Sequence, residues 1–166
     1  MIRRLTVLVA ATLLALILAA PAALAGGATQ ISGVGVFDDP PPQAVCNDPL
    51  DPEDPVPNYA LVMTGDLEGC LYTFVETAVS SPSGTYRETG TELFVASDGS
   101  GTFETTYRFE AKYEDVNDPT TEIFGRCQHP IVEGSGTGIY EGVSGILFFK
   151  DDVETGEFFY RGHLRY

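Results

Sequence analysis

Between residues 102 and 113, two kinds of side chain alternate without a break. Phe103, Thr105, Tyr107, Phe109, Ala111 and Tyr113 fall on one face, and Thr102, Glu104, Thr106, Arg108, Glu110 and Lys112 on the other. A period of two held over a dozen residues marks a β-strand with one buried side, and a strand that long needs neighbours to cover its face and fill its edges. Before it, Ser97-Asp98-Gly99-Ser100-Gly101 supplies the glycines of a hairpin turn, so residues 85–96 are expected to form the antiparallel partner. Runs at 31–37, 59–64, 70–79, 123–127, 146–153 and 157–166 are similarly rich in β-branched and aromatic residues and bounded by Gly, Pro, Asp or Ser, the last two joined around Thr155 and Gly156. No stretch beyond the first 25 residues carries a helical period. Eight strands without βαβ alternation predict an all-β fold, and an eight-stranded antiparallel β-barrel also removes exposed edges.

The first 25 residues read differently. Arg3 and Arg4 precede an apolar run from position 5 to 20, followed by Pro21 and Ala23-Leu24-Ala25. This order is that of a secretory signal peptide, and the run is shorter than the roughly 18 residues that span a bilayer. Cleavage after Ala25 leaves 141 of 166 residues, enough for one domain. The expectation is a secreted, extracellular protein with no membrane anchor once the signal is removed. Those 141 residues carry 24 acidic and seven basic side chains, about −17, which excludes nucleic acid and anionic membranes as natural partners.

The mature chain divides at residue 58. Residues 26–57 hold a short first strand and a segment in which Pro40, Pro41, Pro42, Pro49, Pro52, Pro55 and Pro57 alternate with Asp38, Asp39, Asp48, Asp51, Glu53 and Asp54. So many missing N–H donors forbid helix or central strand, leaving an extended, solvated loop. Its carboxylates lack the spacing of an EF-hand. Residues 58–166 form the body of the barrel. Three cysteines remain, Cys46, Cys70 and Cys127, and an oxidising compartment allows one pair among them, Cys46 with Cys70 or Cys70 with Cys127, and one thiol left over.

The glycine-rich stretch from Gly134 to Ile146 is the most distinctive in the chain. It fails as a dinucleotide loop, because Glu141 and Ile139 stand where the spacing demands glycine and strand sequence follows. It fails as a nucleophile elbow, because Ile146 takes the second glycine position after Ser144. Read from Val132 to Leu147 as V-E-G-S-G-T-G-I-Y-E-G-V-S-G-I-L, it resembles the G-x-G-x-[FY]-x-[GA]-x-x-G segment of the allene oxide cyclase barrel superfamily, which includes the plant dirigent proteins. The flanking F-G-R-C-Q-H-P at 124–130, F-K-D-D at 149–152 and Y-R-G-H-L-R at 160–165 resemble exported bacterial members of unassigned activity. The likeness runs from about residue 70 to the end and implies an eight-stranded barrel with an interior cavity. No active-site motif of those enzymes matches this chain, and fold analogy carries no catalytic assignment.

Candidate site residues follow from the alternation. Cys70, Tyr72, Phe74 and Glu76 share a strand face, and Asp151 shares one with Phe149 and Leu147, so Glu76 and Asp151 are acid–base candidates if those faces point inward. Tyr72, Phe74, Tyr107, Phe109, Arg126 and His129 are candidates for lining a ligand site, while Arg161, His163 and Arg165 form a cationic stripe on the last strand. Cys127 and His129 supply only two zinc ligands, and no cofactor or metal is expected. Eighteen aromatic residues laid on single faces favour a binding protein for a small apolar or amphipathic ligand. A cyclase- or isomerase-like enzyme and a self-associating homo-oligomer of structural role are the other readings.

Overall fold

The computed structural model describes residues 27–38, 45–46 and 55–166, so the expected signal peptide at 1–25 and most of the Pro/Asp segment lie outside the described residues. Eight strands run in chain order: β1 (Thr29–Phe37), β2 (Tyr59–Gly65), β3 (Gly69–Ser80), β4 (Thr85–Ala96), β5 (Thr102–Tyr113), β6 (Glu122–Pro130), β7 (Ser144–Asp152) and β8 (Glu157–Arg165). Each pairs antiparallel with the next, and β8 returns to β1, closing the barrel. The expected eight-stranded antiparallel barrel is thus observed, and β6 extends beyond the expected 123–127.

Closure gives the barrel two unlike ends. At one, the β2–β3 turn, the β4–β5 hairpin and the segment 131–143 fold across the opening. Leu67 and Val143 are fully buried there, and Tyr140 sets its ring edge-on to Phe94 and Phe103, at 5.8 and 5.2 Å. Phe94 and Phe103 stack at 4.9 Å between facing positions of β4 and β5. Each of these fully buried rings stabilises the fold by about 2–3 kcal/mol through apolar burial. Gly138 lets the plug lie flat: its φ is +58°, and a Cβ there would stand 2.0 Å from the Ser100 carbonyl oxygen of the hairpin. This is the structural role of the glycine-rich stretch, a close-packed lid on one end.

The other end is a mouth. The C-terminal ends of β1, β3, β5 and β7 and the N-terminal ends of β2, β4, β6 and β8 surround it, and the inward side chains nearest to it are half-buried rather than sealed. On the outside of the barrel, Cys46 is bridged to Cys70, one residue from the start of β3 at the plugged end, and Cys127 is a buried free thiol. Of the two pairings the sequence allows, the first is the one formed.

Candidate functional site

The inward face of β4 carries the first half of the site. Tyr86, Glu88, Gly90 and Glu92 lie in register with Ala111, Phe109, Tyr107 and Thr105 of β5. Two carboxylates thereby enter the barrel on one strand, and buried carboxylates need donors. Glu88 receives three tyrosine hydroxyls: Tyr59 donates at 3.0 Å and Tyr107 at 2.7 Å to Oε1, and Tyr86 donates to Oε2. Burial first, then the neighbouring Glu88 charge, raises the hydroxyl pKa of Tyr59, so these phenols stay protonated donors. One turn of alternation deeper, Glu92 accepts from Thr105 Oγ1 at 2.6 Å and Thr73 Oγ1 at 3.3 Å, and its Oε2 lies 2.5 Å from His129 Nδ1. A carboxylate at Nδ1 selects the tautomer with the proton there, leaving Nε2 with its lone pair. That Nε2 is buried without a hydrogen-bond partner among the described residues, and the ring lies between Phe149 and Tyr107.

The second half lies across the mouth. Register places Asp151 opposite Phe158, and Glu122 opposite Tyr113, whose hydroxyl donates to Glu122 Oε2 at 3.4 Å. Glu122 and Asp151 meet over Gly125. A Cβ at that glycine would stand 2.0 Å from Asp151 Oδ2 and 2.5 Å from Glu122 Oε1, so the bare backbone makes room for both carboxyls. Burial, and then the Glu122 charge and hydrogen bond, push the Asp151 carboxyl up to about 8 from its ordinary 3.8. A like charge beside a buried carboxyl disfavours its ionised form, so Asp151 keeps its proton toward neutral pH. Tyr113 and Phe158 flank the pair, with Phe37 packed edge-on to Phe158 at 4.9 Å.

These positions correct part of the expectation from sequence. Leu71 and Thr73, not Cys70, Tyr72 and Phe74, are the inward residues of β3, because Leu71 faces Phe94 and Thr73 faces Glu92 across the β4 ladder. Tyr72 is nevertheless buried, on the outer side, two residues from the bridged Cys70. Glu76 is the unpaired residue of a β-bulge between Val75 and Thr77, exposed on the outside, so it is no interior acid. Arg126 also points outward, ion-paired with Glu110 at 2.9 Å. Tyr107, Phe109, His129 and Asp151 do point inward; Tyr107 and His129 lie together, 6.1 Å between ring centres, whereas Asp151 sits across the mouth with Glu122. Arg161, His163 and Arg165 take the outward register of β8, opposite to Tyr160, Gly162 and Leu164.

The residues missed were Glu88, Glu92 and Glu122, with Tyr59, Tyr86 and Tyr113. Their signal was present in β4, where Tyr86, Glu88 and Glu92 stand in phase with the core residue Phe94. Among the described residues, the inward Glu88, Glu92, Glu122 and Asp151 lack a Lys or Arg partner, since every Lys and Arg of the eight strands takes the outward register. Among the described residues no three His, Cys, Asp or Glu side chains gather as a metal site. This end of the barrel therefore gathers aromatic rings around hydrogen-bond acceptors, an arrangement suited to a donor group on a small molecule and to moving a proton. No known protein family, curated protein or solved structure matches the chain.

Proposed function

We propose that this chain is an exported barrel of the allene oxide cyclase-like kind that takes a small amphipathic molecule into its mouth. The apolar body of the ligand packs against Phe109, Phe158 and the tyrosine rings, and a hydrogen-bond-donating head meets the Glu122–Asp151 pair. The observation that carries this reading is that pair: Glu122 and Asp151 meeting over Gly125, half-buried among aromatic rings, with no Lys or Arg of the described residues beside them. Such a wall favours a hydroxyl or ammonium head over a carboxylate, which the negative interior repels. The sequence order of residues 1–25 and the Cys46–Cys70 bridge support export.

The test uses ligands that share one chain and differ in the head. Octanol, octylamine and octanoate are titrated against intrinsic tyrosine fluorescence, which is clean because the chain has no Trp. Saturable binding of the alcohol or amine, with octanoate weaker by tenfold or more, is expected. Equal binding of all three, or no change with any, sinks the reading.

A proton-transfer enzyme of the isomerase or cyclase class is the second reading, favoured by the Glu92–His129 contact that leaves Nε2 free as a base and by an Asp151 acid poised near neutrality. The two readings separate on the fate of a bound ligand. An enzyme returns it changed, and Asp151→Asn then abolishes conversion while binding persists; a binding protein returns it intact.

A further inference from the structure

Residues 26–166 carry seven Lys and Arg against 24 carboxylates, and four of the seven line one groove of about 950 Å3 on the outer face of β5–β8: Arg108, Arg126, Lys150 and Arg161. Phe124, Phe148 and Phe159 line it with them, 42, 39 and 46% exposed on regular strands. Register makes Lys150 the centre of the patch. Phe159 stands opposite it on β8, Arg126 opposite it on β6, and Phe148 two residues before it on the same face. The next row across the strands runs Arg108, Gln128, Phe148, Arg161, so that ring has a guanidinium on either side within its row. Arg126 beside Lys150 is a like-charge pairing that costs stability until an anion answers it. Glu110, the one carboxylate lining the groove among the described residues, is already taken, Oε2 by Arg87 and Oε1 by Arg126, both at 2.9 Å. None of the described carboxylates is within ion-pair distance of Arg108, Lys150 or Arg161.

We propose that this groove is a second ligand site, for a small organic acid with a flat apolar body, an aromatic carboxylate. Its rings lie on Phe148 and Phe159, and its carboxylate meets Lys150 and Arg161. Those two cations are diagonal neighbours on β7 and β8, about 7–8 Å apart at the backbone, so both long side chains reach one carboxylate. Arg161 supplies a planar fork that grips both oxygens, and Lys150 a point charge. Exposed rings gathered on one sheet face mark a binding surface, and here the cations fix the sign of what binds. Net charge fixes its size. A chain of about −17 repels a polyanion along its whole length, whereas a single carboxylate, inside the Debye length of about 8 Å, answers to the cations it touches. Mouth and groove thereby sort ligands by head group, since the carboxyl-walled mouth disfavours the anion that the groove selects, and neither site depends on the other.

The experiment maps amide NMR shifts of the whole protein during titration with sodium naphthoate in about 0.05 M salt. Saturable shifts are expected at Gln128, Phe148, Lys150, Phe159 and Arg161, with a Kd of about 1 mM or below, because the groove is open to water and its ion pairs are partly screened. Raising the salt to about 0.5 M should weaken binding severalfold. Naphthylmethanol, which has the same rings and no charge, should move these five amides at least tenfold more weakly, whatever it does at the mouth. Reversing the charge with Lys150→Glu and Arg161→Glu together should weaken naphthoate at least tenfold. The milder pair Lys150→Gln and Arg161→Gln, which keeps side-chain length and the dispersed amide spectrum of the barrel, should weaken it severalfold. No saturation up to about 5 mM, naphthoate shifts gathered at the mouth or the plugged end, an equal response of the five amides to the alcohol, or unchanged naphthoate affinity in the Gln variant overturns the proposal.

Discussion

Replacing Asp151 with Asn should make the protein more stable at high pH and leave it nearly unchanged at low pH. The Asp151 carboxyl, at about 8 in the fold and 3.8 ordinarily, keeps its proton in the folded protein while the unfolded chain releases it. Between these values the folded state binds more protons, so the stability contributed by this group falls as pH rises and levels off above pH 8. The gap of about four units, at about 1.4 kcal/mol each, sets an upper limit near 6 kcal/mol. The pair is only half-buried, and solvent screening reduces that to about 2–3 kcal/mol. Asn removes the ionisation and can donate its amide to Glu122. Thermal unfolding followed by circular dichroism at pH 5, 7 and 9 reads the difference between variant and parent, which cancels all other titrations. The variant should exceed the parent by about 2–3 °C at pH 5, where over a quarter of the window from 3.8 to about 8 has been crossed, and by about 6–10 °C at pH 9. A difference that does not grow with pH refutes the retained proton.

Other perturbations have equally definite outcomes. Glu88→Gln leaves three tyrosine hydroxyls competing for one acceptor, and chemical denaturation should register a loss of about 2–4 kcal/mol. Breaking the bridge with Cys46→Ser and Cys70→Ser frees a loop of sequence separation 24 and should cost about 3 kcal/mol by the same assay. A thiol reagent should find no reactive cysteine in the native protein and one after denaturation, because burial and then the Glu92 charge hold the Cys127 thiol protonated. Phe103→Ala, at the plugged end, should lose about 3–5 kcal/mol without altering ligand binding at the mouth.

How much of this was legible in the sequence depended on whether local pattern or neighbouring strands decided the outcome. The face of β5 is set by its own alternation, so Tyr107 and Phe109 were placed inward without a structure. On β3 both faces are rich in apolar residues, Leu71 and Val75 against Tyr72 and Phe74, and the pattern gives no phase. A slip of one residue moves every side chain to the other face, and the register with β4 settles it. The bulge at Glu76 adds a second phase change that no local propensity announces. In β4 the carboxylates were in plain view, but an acidic residue in phase with Tyr and Phe reads as a surface interruption unless donors are known to await it. The donors to Glu88 come from β2, β4 and β5, and those to Glu92 from β3, β5 and β6, a convergence that exists only once the barrel closes.

The claim that the mouth is the ligand site is tested most directly by mapping amide and tyrosine-ring NMR shifts during titration with octanol or octylamine. The account predicts saturable shifts gathered at Tyr59, Tyr86, Glu88, Tyr107, Tyr113, Glu122 and Asp151, with the plugged end around Phe94, Phe103 and Tyr140 unmoved. Saturable shifts confined to the outer face of β5–β8, or to the plugged end, contradict it.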